Sequence, residues 1–369
     1  MIRSVCAVLS LVSLCLTSVW VAAEEPPKLK DAEFEVATLS PDGFKIVTGD
    51  YGEDSFDPAL PATVWDVKSG RKLFSLHRGD WSVRMAFSPT GALLTVWGGS
   101  NYGDDRSFGR FQIWDVAKGV ARVDLKVNDR YFTSAAFSPD EKLLALGAMA
   151  FDHLDHNASY EVRLWDVVKG REVARLKAEI QALALTPDGK TLIAGGLYSH
   201  GKVHLVGPPH AGVGLWDVAS RKLKKKIDLG YIGNVAALAV SPCGKYLAVG
   251  GSDCRFELWD LETHKRKQLI YKRGTIQPFA FSPDGRWLAF SPDKRGKEKI
   301  VLWDVAAGKE VTQFKGTDNG IATITFSPDG KQLIAGSASE LVPFSRIDLA
   351  ETKEAELKRW DLSEFAAKQ

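Results

Sequence analysis

Hydrophobic positions along the chain occur in short runs that turn-forming residues interrupt at regular intervals. In one interval, residues 83–87 and 92–97 are mostly apolar and are separated by Ser88-Pro89-Thr90-Gly91. Because proline presets φ and glycine accepts positive φ, this tetrapeptide predicts a tight turn between two strands. The second run is almost continuously apolar, which is typical of a strand buried on both faces.

The same interval contains two further predicted strands. Residues 111–114 form the third, and Asp115-Val116-Ala117-Lys118-Gly119 predicts the turn into the fourth. Aspartate accepts hydrogen bonds from the N–H groups of such a turn, and glycine takes its left-handed position. Each interval therefore predicts a small antiparallel sheet, whose strands we label A to D in chain order.

Two markers occur seven times each and alternate strictly along the chain. Trp-Asp begins at residues 65, 114, 165, 216, 259, 303 and 360, and Ser-Pro or Thr-Pro begins at residues 40, 88, 138, 186, 241, 282 and 327. A sheet that is apolar on both faces must stack on copies of itself, and radial stacking leaves only short protected edges. The sequence therefore predicts an all-β fold, a seven-bladed β-propeller of four-stranded antiparallel blades, with indole rings filling the space between blades.

These paired markers resemble those of the WD-repeat β-propeller family over residues 31–363. Family members commonly carry Gly-His shortly before strand A, where it starts a buried hydrogen-bond network that ends at Trp-Asp. None of the seven intervals has Gly-His there. The resemblance therefore implies a divergent propeller held mainly by apolar packing. It also implies closure by pairing of terminal segments, with residues 27–30 completing the last blade beside Phe365.

The amino-terminal segment has the layout of a secretory signal. Arg3 is the only charged residue before Glu24, residues 4–20 are apolar or small, and Val21-Ala22-Ala23 provides a cleavage site. This layout predicts a signal peptide over residues 1–23, a linker over 24–30, the propeller over 31–363 and a tail over 364–369. The expected location is extracytoplasmic, secreted or periplasmic. The alternative is an uncleaved membrane anchor formed by residues 4–23.

Charge, cysteine content and motifs narrow the function further. The net charge of +2 gives no global steering toward nucleic acid, and a membrane partner is expected only if the signal segment stays uncleaved. After loss of the signal, Cys243 and Cys254 remain, separated by a predicted strand that holds them too far apart for a disulfide. No nucleophile elbow, phosphate loop or H-E-x-x-H motif occurs. We therefore predict a protein that is not an enzyme, with no catalytic residue and no cofactor.

The predicted connections differ between the two edges of the blades. We call the edge with the B–C and D–A connections the loop face, and the edge with the A–B and C–D turns the turn face. All A–B turns are tight, whereas five B–C loops are long and span residues 49–61, 98–109, 147–160, 196–212 and 338–355. Long connections in compact domains are usually functional or mobile. This asymmetry predicts that the loop face binds a partner.

The predicted partner is a protein or peptide, and the chain is predicted to be an interaction scaffold. The resemblance implies that partners are bound at the rim of the D–A connections, and Trp, Tyr and Arg are the side chains that most often dominate interfaces. The predicted partner-binding residues are Trp81, Arg130, Tyr131, Tyr231 and Arg273. Packing of the same aromatic rings on a neighbouring blade is the alternative interpretation.

Besides the protein scaffold, two other functional classes remain open. The first is a metal-binding protein or a metal-dependent enzyme, for which five histidines of the loops in blades three and four are candidate transition-metal ligands: His153, His156, His200, His204 and His210. Six acidic residues are either calcium ligands or a solvated rim: Asp50, Glu53, Asp54, Asp57, Asp104 and Asp105. A binder of cell-envelope carbohydrate is the third possibility, with the loop tyrosines Tyr51, Tyr102 and Tyr198 as contacts.

A basic cluster follows the predicted outer strands of blades four and five. It consists of Arg221, Lys222, Lys224, Lys225, Lys226, Lys265, Arg266 and Lys267. Lysine on an outer strand prevents edge-to-edge aggregation, which accounts for most of the cluster. Contact with an acidic polymer or an anionic surface is the alternative.

Overall fold

The computed structural model describes residues 36–49, 62–76, 82–100, 108–128, 130–152, 157–198, 210–251, 255–271, 278–292, 299–317, 321–337 and 357–366. Among these residues nearly all regular structure is β-strand. No helix in them is long and apolar enough to cross a membrane.

The strands fall into seven consecutive sheets. Blade 1 contains β1 (Val36–Leu39), β2 (Lys45–Gly49), β3 (Thr63–Asp66) and β4 (Lys72–Ser75). Blade 2 contains β5 (Ser82–Phe87), β6 (Leu93–Ser100), β7 (Phe108–Asp115) and β8 (Val120–Asn128). Blade 3 contains β9 (Tyr131–Phe137), β10 (Leu143–Asp152), β11 (Asn157–Asp166) and β12 (Arg171–Lys177). Blade 4 contains β13 (Ala182–Leu185), β14 (Thr191–Tyr198), β15 (His210–Asp217) and β16 (Leu223–Ile232).

The second half of the chain continues the same order. Blade 5 contains β17 (Val235–Val240), β18 (Tyr246–Gly251), β19 (Phe256–Asp260) and β20 (Lys265–Tyr271). Blade 6 contains β21 (Phe279–Phe281), β22 (Trp287–Phe290), β23 (Lys299–Asp304) and β24 (Lys309–Lys315). Blade 7 contains β25 (Ile321–Phe326), β26 (Gln332–Ser337) and β27 (Leu357–Asp361), followed by the helical turn α1 (Ser363–Ala366).

The blades close into a ring. Every sheet is antiparallel with its strands in chain order. The A strands contact one another in the order β1, β5, β9, β13, β17, β21 and β25, and β25 contacts β1. This arrangement confirms the predicted seven-bladed propeller. Three strands of blade 7 are described, and residues 27–30, predicted to complete this blade, lie outside the described residues. Phe365 lies against Phe314 of blade 6, with ring centroids 6.2 Å apart.

One apolar cluster fills each of the seven blade junctions, and the Trp of each Trp-Asp pair packs against the preceding blade. The ring of Trp165 meets Phe111 of blade 2 edge-on, with centroids 4.9 Å apart. At the closing junction, Trp65 of blade 1 packs with Ile334 and Leu357 of blade 7. The predicted role of the indole rings as spacers is confirmed.

The A–B turns share one hydrogen-bond pattern. In all seven, the Ser or Thr side-chain oxygen accepts the N–H of the residue five positions later, as in Leu93 N to Ser88 Oγ at 3.0 Å. Six turns place glycine at positive φ, and the turn of blade 3 places Glu141 there, at φ 58°. The Glu141 carboxylate accepts hydrogen bonds from the N–H and hydroxyl of Thr90 in blade 2, at 2.7 and 2.6 Å. This contact between blades offsets the cost of the left-handed conformation.

Three B–C connections are shorter than predicted, because the flanking strands extend beyond the core. Strands β6 and β7 stay paired as far as Ser100 and Phe108. Strands β10 and β11 stay paired as far as Asp152 and Asn157, and β14 and β15 as far as Tyr198 and His210. The predicted loops over 98–109, 147–160 and 196–212 therefore consist partly of hairpin. Continued pairing satisfies the backbone N–H and C=O groups where side-chain hydrophobicity no longer marks a strand.

Turn aspartates make the stability of the ring dependent on pH. Hydrogen bonds from the hydroxyls of Ser138, Thr186 and Ser327 are the main cause that lowers the pKa of the aspartate two residues later in each A–B turn. In the C–D turns, backbone N–H groups lower the pKa of Asp166, Asp217 and Asp260. A carboxyl group whose pKa is lowered by folding stabilises the fold above its unfolded pKa, and this contribution is lost as the pH falls through the folded value.

We therefore expect the Tm to fall steeply below about pH 4 and to change little between about pH 5 and pH 7. Circular dichroism melts over this range measure it. Asp188→Asn together with Asp329→Asn is the control, since the amide oxygen accepts the same hydrogen bonds without titrating. The acid-induced drop should be smaller in this variant, and an equal drop in both proteins would contradict the assignment.

Candidate functional site

Arg130 and Tyr131 lie at the loop face, where the chain enters the innermost strand of blade 3. The Tyr131 hydroxyl donates to Met149 Sδ at 3.3 Å, and the side chain is half-buried. Burial raises the pKa of Tyr131, and the neighbouring Tyr160 raises it further. At neutral pH the phenol is therefore an uncharged group with one face on the protein and one in solvent.

Arg130 is the outer end of a charged network across blade 3. Its Nε lies 3.5 Å from Glu161 Oε1, which also accepts the Nε of Arg163 at 2.8 Å. Arg163 is buried and reaches Glu172 Oε2 at 3.7 Å, and Glu172 pairs with Arg175. These contacts hold Arg130 in place and leave 27% of its side chain exposed.

Arg84 joins these residues from blade 2 and was missed by the sequence analysis. It is exposed on β5, and its guanidinium donates to the carbonyl oxygen of Thr133 at 2.7 Å. Arg84 is also close enough to Tyr131 to oppose the rise in its pKa. The available signal was a single cation within an otherwise mostly apolar A strand. The structure thus places Arg84 of β5 near Tyr131 of β9, with Arg130 directly before Tyr131 in the chain, and these three residues form the candidate site.

Of the other three predicted partner-binding residues, the structure describes only one. Trp81 and Arg273 lie outside the described residues. Tyr231 lies within β16, one residue before its end, so it belongs to a D strand and not to a D–A loop. The strand pairing of β16 with β15 continues to Ile232, which explains the difference.

The residues of the alternative functions lie mostly outside the described chain. Four of the five histidines lie outside the described residues: His153, His156, His200 and His204. The fifth, His210, is the first residue of β15, and its backbone is paired with Tyr198 and Ile232. Tyr51, Tyr102 and the acidic residues Asp50, Glu53, Asp54, Asp57, Asp104 and Asp105 also lie outside. No group of three or more His, Cys, Asp or Glu side chains with the arrangement of a metal site occurs within the described ranges.

Several indole N–H groups are hydrogen-bonded, although the sequence predicted that the blades are held mainly by apolar packing. Trp65 Nε1 donates to Thr48 Oγ1 at 2.8 Å, and Trp114 Nε1 donates to Gln112 Oε1 at 3.2 Å. Trp259 Nε1 donates to Glu257 Oε2 at 2.8 Å. Gln112 and Glu257 each stand two residues before their Trp on the same face of strand C. They supply the acceptors for the indole N–H groups in these two blades.

Two stretches in the carboxyl-terminal half of the chain match a family model. Residues 226–260 and 308–342 match the model described as WD domain, G-beta repeat. The first match runs from the D strand of blade 4 through the Trp-Asp pair of blade 5. The second begins in the C–D turn of blade 6 and continues past strand B of blade 7.

The chain is also similar to parts of several known proteins. The chain is 27% identical over 147 residues to small ribosomal subunit protein RACK1 of Caenorhabditis elegans, covering 37% of this chain and 44% of that protein. It is 33% identical over 129 residues to RACK1y of Oryza sativa, covering 34% and 38%. It is 22% identical over 336 residues to the groucho protein of Drosophila melanogaster, covering 77% of this chain and 41% of that protein. In each case the chain spans less than half of the relative's length.

Proposed function

We propose that this chain, a seven-bladed β-propeller built of WD repeats, is a non-enzymatic scaffold that binds a protein or peptide on its loop face. The repeats detected and the similar proteins are of the WD-repeat kind, and propellers of this kind are typically protein-interaction scaffolds. The observation that carries the proposal is the proximity of Arg84 in blade 2 to Tyr131 in blade 3, with Arg130 next to Tyr131 in the chain.

The chemistry of these three residues supports binding rather than catalysis. Two guanidinium groups beside an uncharged phenol offer hydrogen-bond donors and an aromatic surface. Arg130 is held by Glu161 at 3.5 Å, and Arg84 is held by a backbone carbonyl of the neighbouring blade. Arginines that are already oriented lose less side-chain entropy when a partner binds, so such positions are suited to interface contacts.

A location outside the cytoplasm is part of the proposal. It is supported by the order of charged, apolar and small residues over positions 1–23. Expression of the full chain with a carboxyl-terminal tag in the native host, followed by fractionation and amino-terminal sequencing, tests it. A mature terminus at Glu24 is expected. An uncleaved product in the cytoplasm would contradict this part of the proposal.

The binding proposal is tested by capture of partners from extracts of the native host. We expect Arg84→Ala together with Arg130→Ala to reduce recovery of a cross-linked partner by about tenfold, because interface arginines often dominate binding. The matched control is Lys142→Ala together with Lys169→Ala, which removes two cations from exposed positions of the turn face. Equal recovery by the loop-face and control variants, at equal Tm, would refute the proposed face.

A further inference from the structure

Two clefts occupy equivalent positions on the turn face. One lies between blades 2 and 3 and has a volume of about 600 Å³, and the other lies between blades 4 and 5 and has a volume of about 670 Å³. Each is bordered by the D strand of the earlier blade and by the A–B and C–D turns of the later blade. Because the repeat places the same elements around both, differences between them come from side chains alone.

The cations of the blade 2–3 cleft are all neutralised. Arg122 pairs with Asp115 at 2.5 Å, Lys142 lies 3.8 Å from its neighbour Asp140, and the third pair is that of Lys169 and Asp166 at 3.4 Å. The lining also includes the Glu141 carboxylate. This cleft therefore offers little net attraction to an anion.

The blade 4–5 cleft has cations without an ion-pair partner. Lys224, Lys225 and Lys245 line it, with Glu262 as the acidic lining residue. Lys224 Nζ pairs with Asp217 Oδ2 at 3.9 Å, whereas Lys225 and Lys245 make no ion pair in the described part of the chain. Lys225 and Lys245 are both exposed. Two ammonium groups from different blades thus border the cleft without an ion pair, although Glu262 lines it and Asp260 is close enough to Lys245 for the pKa of Asp260 to be lowered.

Both turns of blade 5 depart from the repeat at this cleft. Five of the seven A–B turns have aspartate after proline, and blade 5 has Cys243 there. The last position of the C–D turn is glycine at φ 61–66° in blades 1, 2, 3 and 6, whereas blade 5 has His264 at φ 56°. The first change removes a carboxylate from the cleft, and the second adds an imidazole at a backbone position that favours glycine.

The cleft also contains apolar surface. Leu215 and Leu261 contribute to its lining beside the lysines. Its volume lies within the range of roughly 300 to 1,000 Å³ that is usual for binding pockets. A concave site that combines apolar surface with cations suits an inserted side chain, whereas an anionic membrane presents a flat array of charges.

We propose that the blade 4–5 cleft binds an extended acidic segment of a protein. Its carboxylates pair with Lys224, Lys225 and Lys245, and an apolar side chain of the segment packs on Leu215 and Leu261. The cleft lies on the turn face, so this site is separate from the proposed loop-face site and does not depend on it.

The test uses the full mature chain and a fluorescein-labelled peptide with repeated Glu-Ser-Leu-Glu units, measured by fluorescence anisotropy. Lys225→Gln together with Lys245→Gln is expected to weaken binding by about tenfold. Lys142→Gln together with Lys169→Gln, which removes the same total charge from the equivalent cleft, is expected to change it by less than about twofold. A peptide with Gln in place of Glu is expected not to bind.

A second measurement needs no variant. Cys243 lines the cleft and is exposed, so bound peptide should slow its alkylation by iodoacetamide, followed by peptide mapping. Equal weakening by both double variants, binding of the Gln peptide, or unprotected Cys243 would each overturn the proposal. So would binding of phosphatidylglycerol vesicles that depends on Lys225 and Lys245 without binding of the peptide.

Discussion

Replacing Trp165 by alanine is expected to lower the free energy of unfolding by about 4 kcal/mol, because large-to-small changes of buried aromatic residues leave a cavity that the surroundings only partly fill. Trp165 is 7% exposed and lies at the junction of blades 2 and 3. It packs edge-on against Phe111 within a cluster that also contains Trp97 and Phe132. The ring is closed, so a gap at one junction cannot be filled by a shift of the neighbouring blades without opening another.

Urea unfolding followed by tryptophan fluorescence and circular dichroism measures this change. Trp165→Phe is the matched control, since it keeps an aromatic ring and since the indole N–H of Trp165 has no hydrogen-bond partner in the described part of the chain. Its cost should be well under half that of the alanine variant. A loss below about 1 kcal/mol for Trp165→Ala would show that the indole ring is not a spacer between blades.

Replacing Arg266 by alanine is expected to cost roughly 2 to 3 kcal/mol, because removing one partner of a buried ion pair leaves an uncompensated charge. Glu257 is fully buried, and its Oε1 accepts the Arg266 guanidinium at 2.8 Å. The side chain of Arg266 is 42% exposed, so solvent reduces the cost below that of a completely buried pair. The other carboxylate oxygen still accepts Trp259 Nε1.

A double-mutant cycle separates the ion pair from side-chain packing. Arg266→Ala combined with Glu257→Gln should recover most of the lost stability, because glutamine keeps an acceptor for Trp259 and carries no charge. Lys265→Ala, at the exposed neighbouring position of the same strand, should change stability by less than about 0.5 kcal/mol. Strict additivity of the Glu257 and Arg266 substitutions would contradict the proposed coupling.

The candidate site was only partly predictable. Arg130 and Tyr131 stand out because they occur at a fixed distance from a Ser-Pro turn. The structure places them at the loop face, where strand A of blade 3 begins. Arg84 and Arg163 were missed, since a cation inside an apolar strand gives no indication of the partner that it will meet. The partner of Arg84 is a backbone carbonyl of the next blade, a contact that follows from blade stacking, whereas the partner of Arg163 is Glu161, two residues earlier on the same strand.

The surroundings of the basic cluster could also be predicted only in part from the sequence. Its residues fall in two short segments, 221–226 and 265–267, and predict exposed outer strands, which β16 confirms for Lys224 and Lys225. The sequence did not indicate that Lys245 of the next blade borders the same cleft, or that the cations of the equivalent cleft are neutralised. Those facts depend on pairs of residues from different blades.

By itself, the sequence determined the number of blades, the order of their strands and the form of their turns. These features depend on local chemistry: proline and glycine set the backbone of a turn, and alternating markers count the sheets. Only the tertiary structure decided which side chains meet across a junction, such as Glu141 with Thr90 or Lys225 with Lys245 at one cleft. Contacts between blades depend on how sheets pack and rotate against each other, and this information is distributed over many apolar residues rather than carried by any short motif.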